Sequence, residues 1–302
     1  MPSPREASPE LETALKETAS GIKVTIETML PKTDTPDNLL VEAMRYATLE
    51  GGKRIRPFLV CESAKLFGVD HIRAKRVAAA LEFVHCYSLV HDDLPAMDDA
   101  DLRRGIPSVH KKYDEATAIL AGDALLTLAF EVLAEHETHE DPHVRCELTS
   151  LLAKAAGMNG MVGGQMLDLI GEKENFDVGQ ISRLQRMKTG MLMSFACEAG
   201  AILGKATEVQ RKALRNYAFD LGLAFQVTDD ILDVEGDPAV TGKEQGKDAR
   251  EGKSTFVSTM GHEQAKMRAE MLVHQAIRHL HVFDNRAAML KAFALYVLER
   301  RA

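Results

Sequence analysis

Two runs of aspartate, Asp92-Asp93-Leu94-Pro95-Ala96-Met97-Asp98-Asp99 and Asp229-Asp230-Ile231-Leu232-Asp233, lie about half the chain apart, each set in apolar, helix-forming sequence. Carboxylates repel one another, so helices that gather them beside apolar residues need compensating positive charge. Hard divalent cations such as Mg²⁺ supply it, because they take oxygen ligands and keep some waters that a phosphate can replace. Two such runs imply a fold that brings helix ends to a site able to grip a phosphorylated substrate through several metal ions.

Helical periodicity dominates the remainder. Asp37 is a fair N-cap for a run from Asn38 to Glu50 that Gly51-Gly52 stops. Pro57 can open the next helix, which Gly68 ends. Val77, Leu81, Val84, Ser88 and Leu89 mark a helix over 72–93, which Pro95 must break or bend. Further helices are expected at 115–136, 143–170, 179–203, 207–234, 262–280 and 286–299, with Asp141-Pro142 opening the second of these. No run of alternating β-branched residues marks a strand, and no linker rich in Gly, Ser or Pro divides the chain. The expectation is an all-α fold, a single domain over 1–302 with about ten or more helices, in which residues 1–20 are poorly ordered or a short helical segment.

Composition narrows the function classes. Hydrophobic residues make up 45% and charged residues 27% of the 302, ordinary for a soluble globular protein. A net charge of −8 argues against general nucleic-acid binding and against adhesion to anionic membrane. Charges interrupt every apolar stretch, so no window is expected to reach the length of a membrane span. Cys61, Cys86, Cys146 and Cys197 form no CxxC pair, and free thiols in a reducing cytoplasm are expected. The segment Met1–Glu10 lacks the apolar core of a secretory signal.

The chemistry-bearing segments differ in what spacing alone can say. Asp229 and Asp233, four apart, share one helical face; read alone, they are equally a solvated acidic helix end. Asp92 and Asp98 are six apart and would diverge on a straight helix, but Pro95 permits a local bulge that could bring them together. Arg103-Arg104-Gly105 follows at once, and arginine forks onto phosphate oxygens as readily as it pairs with carboxylates. Gly51-Gly52-Lys53-Arg54-Ile55-Arg56-Pro57 is a second basic knot at a helix junction, where backbone N–H groups also favour anions. A solvated basic turn is the commoner fate of such a run. His85 lies seven residues before Asp92, two turns down roughly the same face. Lys188-Thr189-Gly190 interrupts a Met-rich helix, and could bind phosphate or simply mark a kink. The loop from Val240-Thr241-Gly242-Lys243 to Gly252-Lys253-Ser254 brings two lysines close after the second acidic run without the glycine spacing of a Walker A loop.

Taken in order, GGKRIRP, HCYSLVHDDLPAMDDADLRRG, GDALL, KTG and FQVTDDILD followed by TGK resemble the trans-prenyltransferases, the short-chain isoprenyl diphosphate synthases, over Gly51 to Ser254. The four residues between the aspartate pairs of the first run are closest to the bacterial farnesyl diphosphate synthases. That resemblance implies an all-α fold with a deep central pocket between long helices, a homodimer, and the head-to-tail joining of isopentenyl diphosphate to dimethylallyl and geranyl diphosphate. It implies three Mg²⁺ ions, with Asp92 and Asp98 holding two, Asp229 the third, and Asp93 and Asp233 in support. Arg103, Lys188 and Lys243 would grip the allylic diphosphate, joined by Lys253 on closure. Lys53, Arg56, His85 and Arg104 would hold the diphosphate of isopentenyl diphosphate, and Thr189 and Gln226 would lie along the allylic C–O bond. Asp92, Asp98, Arg103, Lys188, Thr189, Gln226 and Asp229 thus become the expected catalytic set. Arg300-Arg301 match a basic tail too loosely to join it.

Tyr87 lies five residues before Asp92, about 7.5 Å along a helix. An aromatic ring there can form a pocket floor, and the resemblance makes it the chain-length residue for a C15 product. Three other readings compete. One is geranylgeranyl diphosphate synthesis, the same reaction carried a step further. Another is a metal-dependent phosphohydrolase built on the His91-Asp92 doublet, which needs further His and Asp ligands. The last is a non-catalytic partner subunit, which should lack acidic ligands that this chain keeps whole.

Overall fold

The computed structural model describes residues 8–32, 35, 38–235 and 254–299. The expected cap Asp37, the expected site residues Lys243 and Lys253, and Arg300-Arg301 lie outside the described residues. The described chain is all-α apart from one two-stranded hairpin.

The first helix, α1 (Pro9–Met29), is longer than the short segment expected. Ser8 caps it by accepting from the Leu11 N–H, and Leu11, Ile22 and Ile26 are buried. Their spacings of eleven and four put all three on one face, so the core holds the whole helix in place. Then come α2 (Asn38–Leu49) and α3 (Ile55–Lys65). Pro57 sits in the first turn of α3 rather than opening it, where its missing N–H costs no helical bond. Next is α4 (His71–Asp92), whose cap Asp70 accepts from the N–H groups of Ile72 and Arg73.

After α4 the chain makes the hairpin β1 (Leu102–Arg103) and β2 (Ile106–Pro107), against the expectation of no strand. Arg104 and Gly105, at φ 55° and 80°, form the two-residue turn with both central residues left-handed that suits a tight hairpin. Strands of two residues have no alternation to read. The short α5 (Val109–Lys112) leads to α6 (Glu115–Ala134), capped by Asp114 on the Thr117 N–H.

The helix expected over 143–170 is two, α7 (Pro142–Ala156) and α8 (Met161–Gly171). Gly157 caps the first, and a Cβ on Gly160 would lie 2.0 Å from the Ala155 carbonyl oxygen, so the chain turns back where only glycine fits. The helix expected over 179–203 does run through, but as α9 (Val178–Gln185), a π turn (Arg186–Gly190) and α10 (Met191–Leu203). The longest helix is α11 (Glu208–Glu235). Beyond residue 253 follow α12 (Phe256–Met260), α13 (His262–His279), a 3-10 stretch (Leu280–Ala287) and α14 (Ala288–Glu299).

The centre of the bundle is α10. Every residue from Leu192 to Leu203 is buried, the mark of a helix covered all round. It packs against α3, α7 and α11, while α4 packs against α3 and α6. Gly200 lets α3 approach, since a Cβ there would stand 2.3 Å from the Ala64 nitrogen. Buried Glu198 of α10 is held by Arg211 and Arg215 of α11 at 2.9 and 2.7 Å. Contrary to the expectation that charges interrupt every apolar stretch, α6 is by length and composition apolar enough to cross a membrane, with mean hydropathy 1.7 over its window. Between Glu115 and Glu131 it carries only Asp123. It packs on α4, α2 and α7.

Candidate active site

The first acidic run begins as α4 ends. Leu89 O accepts from the Asp93 N–H as the last helical bond, and the chain then folds back on itself. The Asp98 N–H donates to Asp92 O at 2.9 Å, and the Ala100 N–H donates to Asp93 O at 3.1 Å. Pro95 cannot continue the helix, and the resulting loop puts Asp98 beside Asp92 although six residues separate them. Burial pushes the Asp92 carboxyl up to about 6; the Lys188 ammonium opposes that and the Asp98 charge adds to it. A carboxyl this reluctant to ionise, with a second carboxylate beside it, is suited to a cation. Asp93 faces elsewhere. Its side chain is buried and accepts from Arg103 Nε at 2.9 and 3.1 Å, with a further contact from the Arg103 terminal nitrogen. Its oxygens are engaged in orienting the guanidinium, while Asp98 stays exposed.

The basic knot divides in a way its sequence does not reveal. Arg54, at φ 50°, is buried and pairs with buried Glu82 of α4 while donating to Thr48 O. It holds the junction together. Arg56 instead lies 3.4 Å from His85 Nε2, in the electrostatic field of Arg104 and Asp229. Burial, then the Arg56 charge, drives the His85 imidazole well below its ordinary pKa, so the ring is neutral. The Arg56 Nε has no hydrogen-bond partner in the described structure and is buried. Gly51 and Gly52, at φ 70° and 94°, leave room for Arg104, since a Cβ on Gly52 would lie 2.8 Å from the guanidinium carbon. GGK and RRG are therefore one surface: Arg104 donates to Glu50 O and Gly51 O at 3.4 and 3.3 Å.

Lys188 and Thr189 ride on the π turn, a distortion often kept at functional sites because it re-aims side chains. Lys188 Nζ donates to Asp168 Oδ2 of α8 at 2.6 Å and contributes to the field at Asp92. Thr189 Oγ1 donates to Gln226 Oε1 of α11 at 3.4 Å. Gln226 precedes Asp229 by less than one turn of α11, so the π turn lies between the two acidic runs, with Lys188 in the field of Asp92 and Thr189 against the helix that carries Asp229. Asp229 and Asp233 are half-buried, whereas Asp230 is buried and accepts from the Phe256 N–H at 2.8 Å, capping α12. The middle aspartate is structural. Tyr87 is buried and stacks edge-on against His91 at 5.6 Å. His91 Nε2 lies 3.0 Å from Ile119 O, and a Cβ on Gly122 would stand 2.1 Å from it, which explains the glycine of GDALL. His91 thus braces α4 on α6, an arrangement the phosphohydrolase reading does not require.

Sequence reasoning missed Asp168, which orients Lys188, and Gly164, whose Cβ would lie 2.3 Å from the Lys188 nitrogen. The signal was Gly163-Gly164 inside a helix, a mark of close backbone approach. Gly164→Ala is expected to displace the π turn, costing roughly 1–3 kcal/mol of stability and much of the turnover. Thermal denaturation and steady-state rates check it; a variant as stable and as active as the parent would show that α8 can shift freely.

Among the described residues no three His, Cys, Asp or Glu side chains converge as a ready-made metal cage. Asp92 beside Asp98 nevertheless fits Mg²⁺, which is bound through one or two carboxylates with phosphates and water completing its shell.

The chain is similar to known proteins over most of its length. The family model described as Polyprenyl synthetase matches residues 37–296. The farnesyl diphosphate synthase of Escherichia coli K12 is 46% identical over 278 residues, 90% of this chain and 91% of its own. That of Geobacillus stearothermophilus is 40% identical over 281 residues, 93% and 94% of the two chains. A crystal structure of an FPP/GFPP synthase from Zymomonas mobilis superposes with a TM-score of 0.88 at 47% identity, covering 96% of this chain and 99% of that one.

Proposed function

The chain belongs to the polyprenyl synthetase family and is a prenyl-transferring enzyme; from that premise we propose that it condenses isopentenyl diphosphate with dimethylallyl and then geranyl diphosphate to give farnesyl diphosphate. The observation that carries the reading is the π turn, which sets Lys188 in the field of Asp92 and Thr189 against Gln226.

Two diphosphates need two cradles. Arg103, oriented by Asp93, and Lys188, oriented by Asp168, would hold the allylic leaving group, with Lys243 and Lys253 joining them. Lys53, Arg56, neutral His85 and Arg104 would hold the second diphosphate. Cations aimed at a leaving diphosphate stabilise charge that develops only as the C–O bond breaks. The Thr189 and Gln226 oxygens favour the allylic cation without being strong nucleophiles, and the buried helices keep water from it. Isopentenyl carbon then attacks that cation, and the departing diphosphate takes the proton lost from the new chain. Asp92 and Asp98 would hold two Mg²⁺ ions and Asp229 the third, with Asp93 and Asp233 in support, to neutralise the leaving diphosphate.

Exposed Ile119 and Leu120 on α6 support a homodimer, since apolar residues on such a helix face gain from burial. The net charge of −8 argues against nucleic acid as a partner, and a cytoplasmic setting accords with four free cysteines.

Tyr87, braced by His91, would be the floor that stops growth at C15. Tyr87→Ala is expected to shift the main product to C20 or longer. Mass spectra showing only C15 diphosphate would remove Tyr87 as the stop. A parent enzyme that already makes C20 would favour the geranylgeranyl reading. The reaction itself is tested by incubating the purified chain with labelled isopentenyl diphosphate, each allylic primer and Mg²⁺. Chain growth to C15 is expected; release of phosphate without growth would refute it.

A further inference from the structure

We propose that Tyr46 is a positioning residue that holds Arg104 in place for the second diphosphate, acting through the β1–β2 hairpin. The inference rests on the prenyl-transfer reading and on Arg104 serving isopentenyl diphosphate. Tyr46 stands on the last turns of α2, and its hydroxyl donates to Pro107 O at 2.7 Å, across 61 residues of chain. Pro107 is the β2 residue paired with Leu102, and Arg103 pairs with Ile106, so this bond ties the base of the hairpin to α2. The ring is itself fixed: Lys112 Nζ lies 3.7 Å from its centroid, and Tyr113 packs edge-on at 6.0 Å. Burial, then the Glu50 carboxylate, raises the phenol pKa, which keeps the hydroxyl a donor.

The two arginines of the hairpin depend on this strut unequally. Arg103 has its own anchor in the Asp93 carboxylate. Among the described residues Arg104 has long bonds to Glu50 O and Gly51 O and the glycine surface beneath it. Those acceptors lie at the C-terminal end of α2, one turn beyond Tyr46. Helix and hairpin are therefore joined twice, by Tyr46 at the hairpin base and by Arg104 at its tip. Between them Tyr46, Glu50, Asp93, Arg103, Arg104 and Pro107 border a cavity of about 30 Å³, space into which an untethered hairpin can settle. Lys53 and Arg56 follow directly from the same helix end, so α2 sets both halves of the expected cradle.

Tyr46→Phe removes the hydroxyl and keeps the ring. It is expected to raise KM for isopentenyl diphosphate about fivefold, the worth of one neutral hydrogen bond. KM for the allylic diphosphate should stay as in the parent, and the thermal midpoint should fall by no more than the loss of one hydrogen bond allows. A merely structural role would lower stability while leaving both KM values unchanged or disturbing both alike. In an Arg104→Ala background, Tyr46→Phe should add nothing to KM, because the two act as one unit. Equal changes in both KM values, no change in either, or full additivity with Arg104→Ala would each overturn the proposal. Parent protein without chain growth in the same assay would instead refute the underlying reaction.

Discussion

Asp92→Asn is expected to lower turnover by about 10³-fold, or about 4 kcal/mol of transition-state stabilisation, while making the metal-free protein more stable at pH 7. Both effects have one cause. The fold half-buries Asp92 next to Asp98, and that desolvation pushes its carboxyl up to about 6, above the ordinary value near 4. Below about pH 4 the group is protonated in both folded and unfolded chains and contributes nothing. As pH rises toward 6 the unfolded chain gives up its proton first, so the folded state binds more protons and stability falls. Above about 6 the full penalty of holding the charge remains. Asparagine cannot ionise, so it escapes that penalty. Thermal midpoints in chelator should therefore coincide for parent and variant at pH 4 and separate in favour of the variant at pH 7. Adding Mg²⁺ and diphosphate should reverse the order, because only the parent gains binding energy on the folded state. Parent-like turnover would remove Asp92 from the reaction. A variant less stable than the parent in chelator at pH 7 would show that the charge is already compensated.

Glu82→Ala is expected to cost about 3–5 kcal/mol of stability, because it leaves the Arg54 guanidinium buried without its counter-charge. The side chains of Arg54 and Glu82 are 3% and 2% exposed. Burial lowers the Arg54 pKa and Glu82 more than restores it, so the guanidinium stays charged. The denaturant midpoint should fall with an unchanged slope. Replacing both, Glu82→Leu with Arg54→Met, should recover much of the loss, since the pair is then exchanged for apolar packing. A single variant losing less than about 1 kcal/mol would mean that water reaches Arg54 readily. The pair bears on the proposed diphosphate cradle through position: Arg54 stands between Lys53 and Arg56, and pinning it to α4 fixes the backbone that carries them.

The site was partly legible because some of its logic is local. Asp229 and Asp233 share a face by spacing alone, and the structure keeps both half-buried while Asp230 turns away to cap α12. Pro95 announced the bulge that puts Asp98 against Asp92. Other assignments depended on partners far along the chain. Nothing near Arg54 says that it, rather than Arg56, pairs with Glu82, 28 residues on. Nothing near Lys188 points to Asp168, and the π turn leaves no trace in apolar periodicity. The hairpin escaped notice because two-residue strands are too short to alternate.

The sequence by itself determined the helical class, most helix ends, and which residue types could meet phosphate and metal. Those follow from backbone propensity, caps, breakers and charge, all of which act within a few residues. Tertiary structure alone decided which cations are spent on the fold and which are set in place at the candidate site: Arg54 is consumed by Glu82, whereas Asp93 orients a partly exposed Arg103 and Gly52 makes room for Arg104. That choice turns on burial and on contacts between distant segments, because a charge in the interior must find a partner wherever packing brings one.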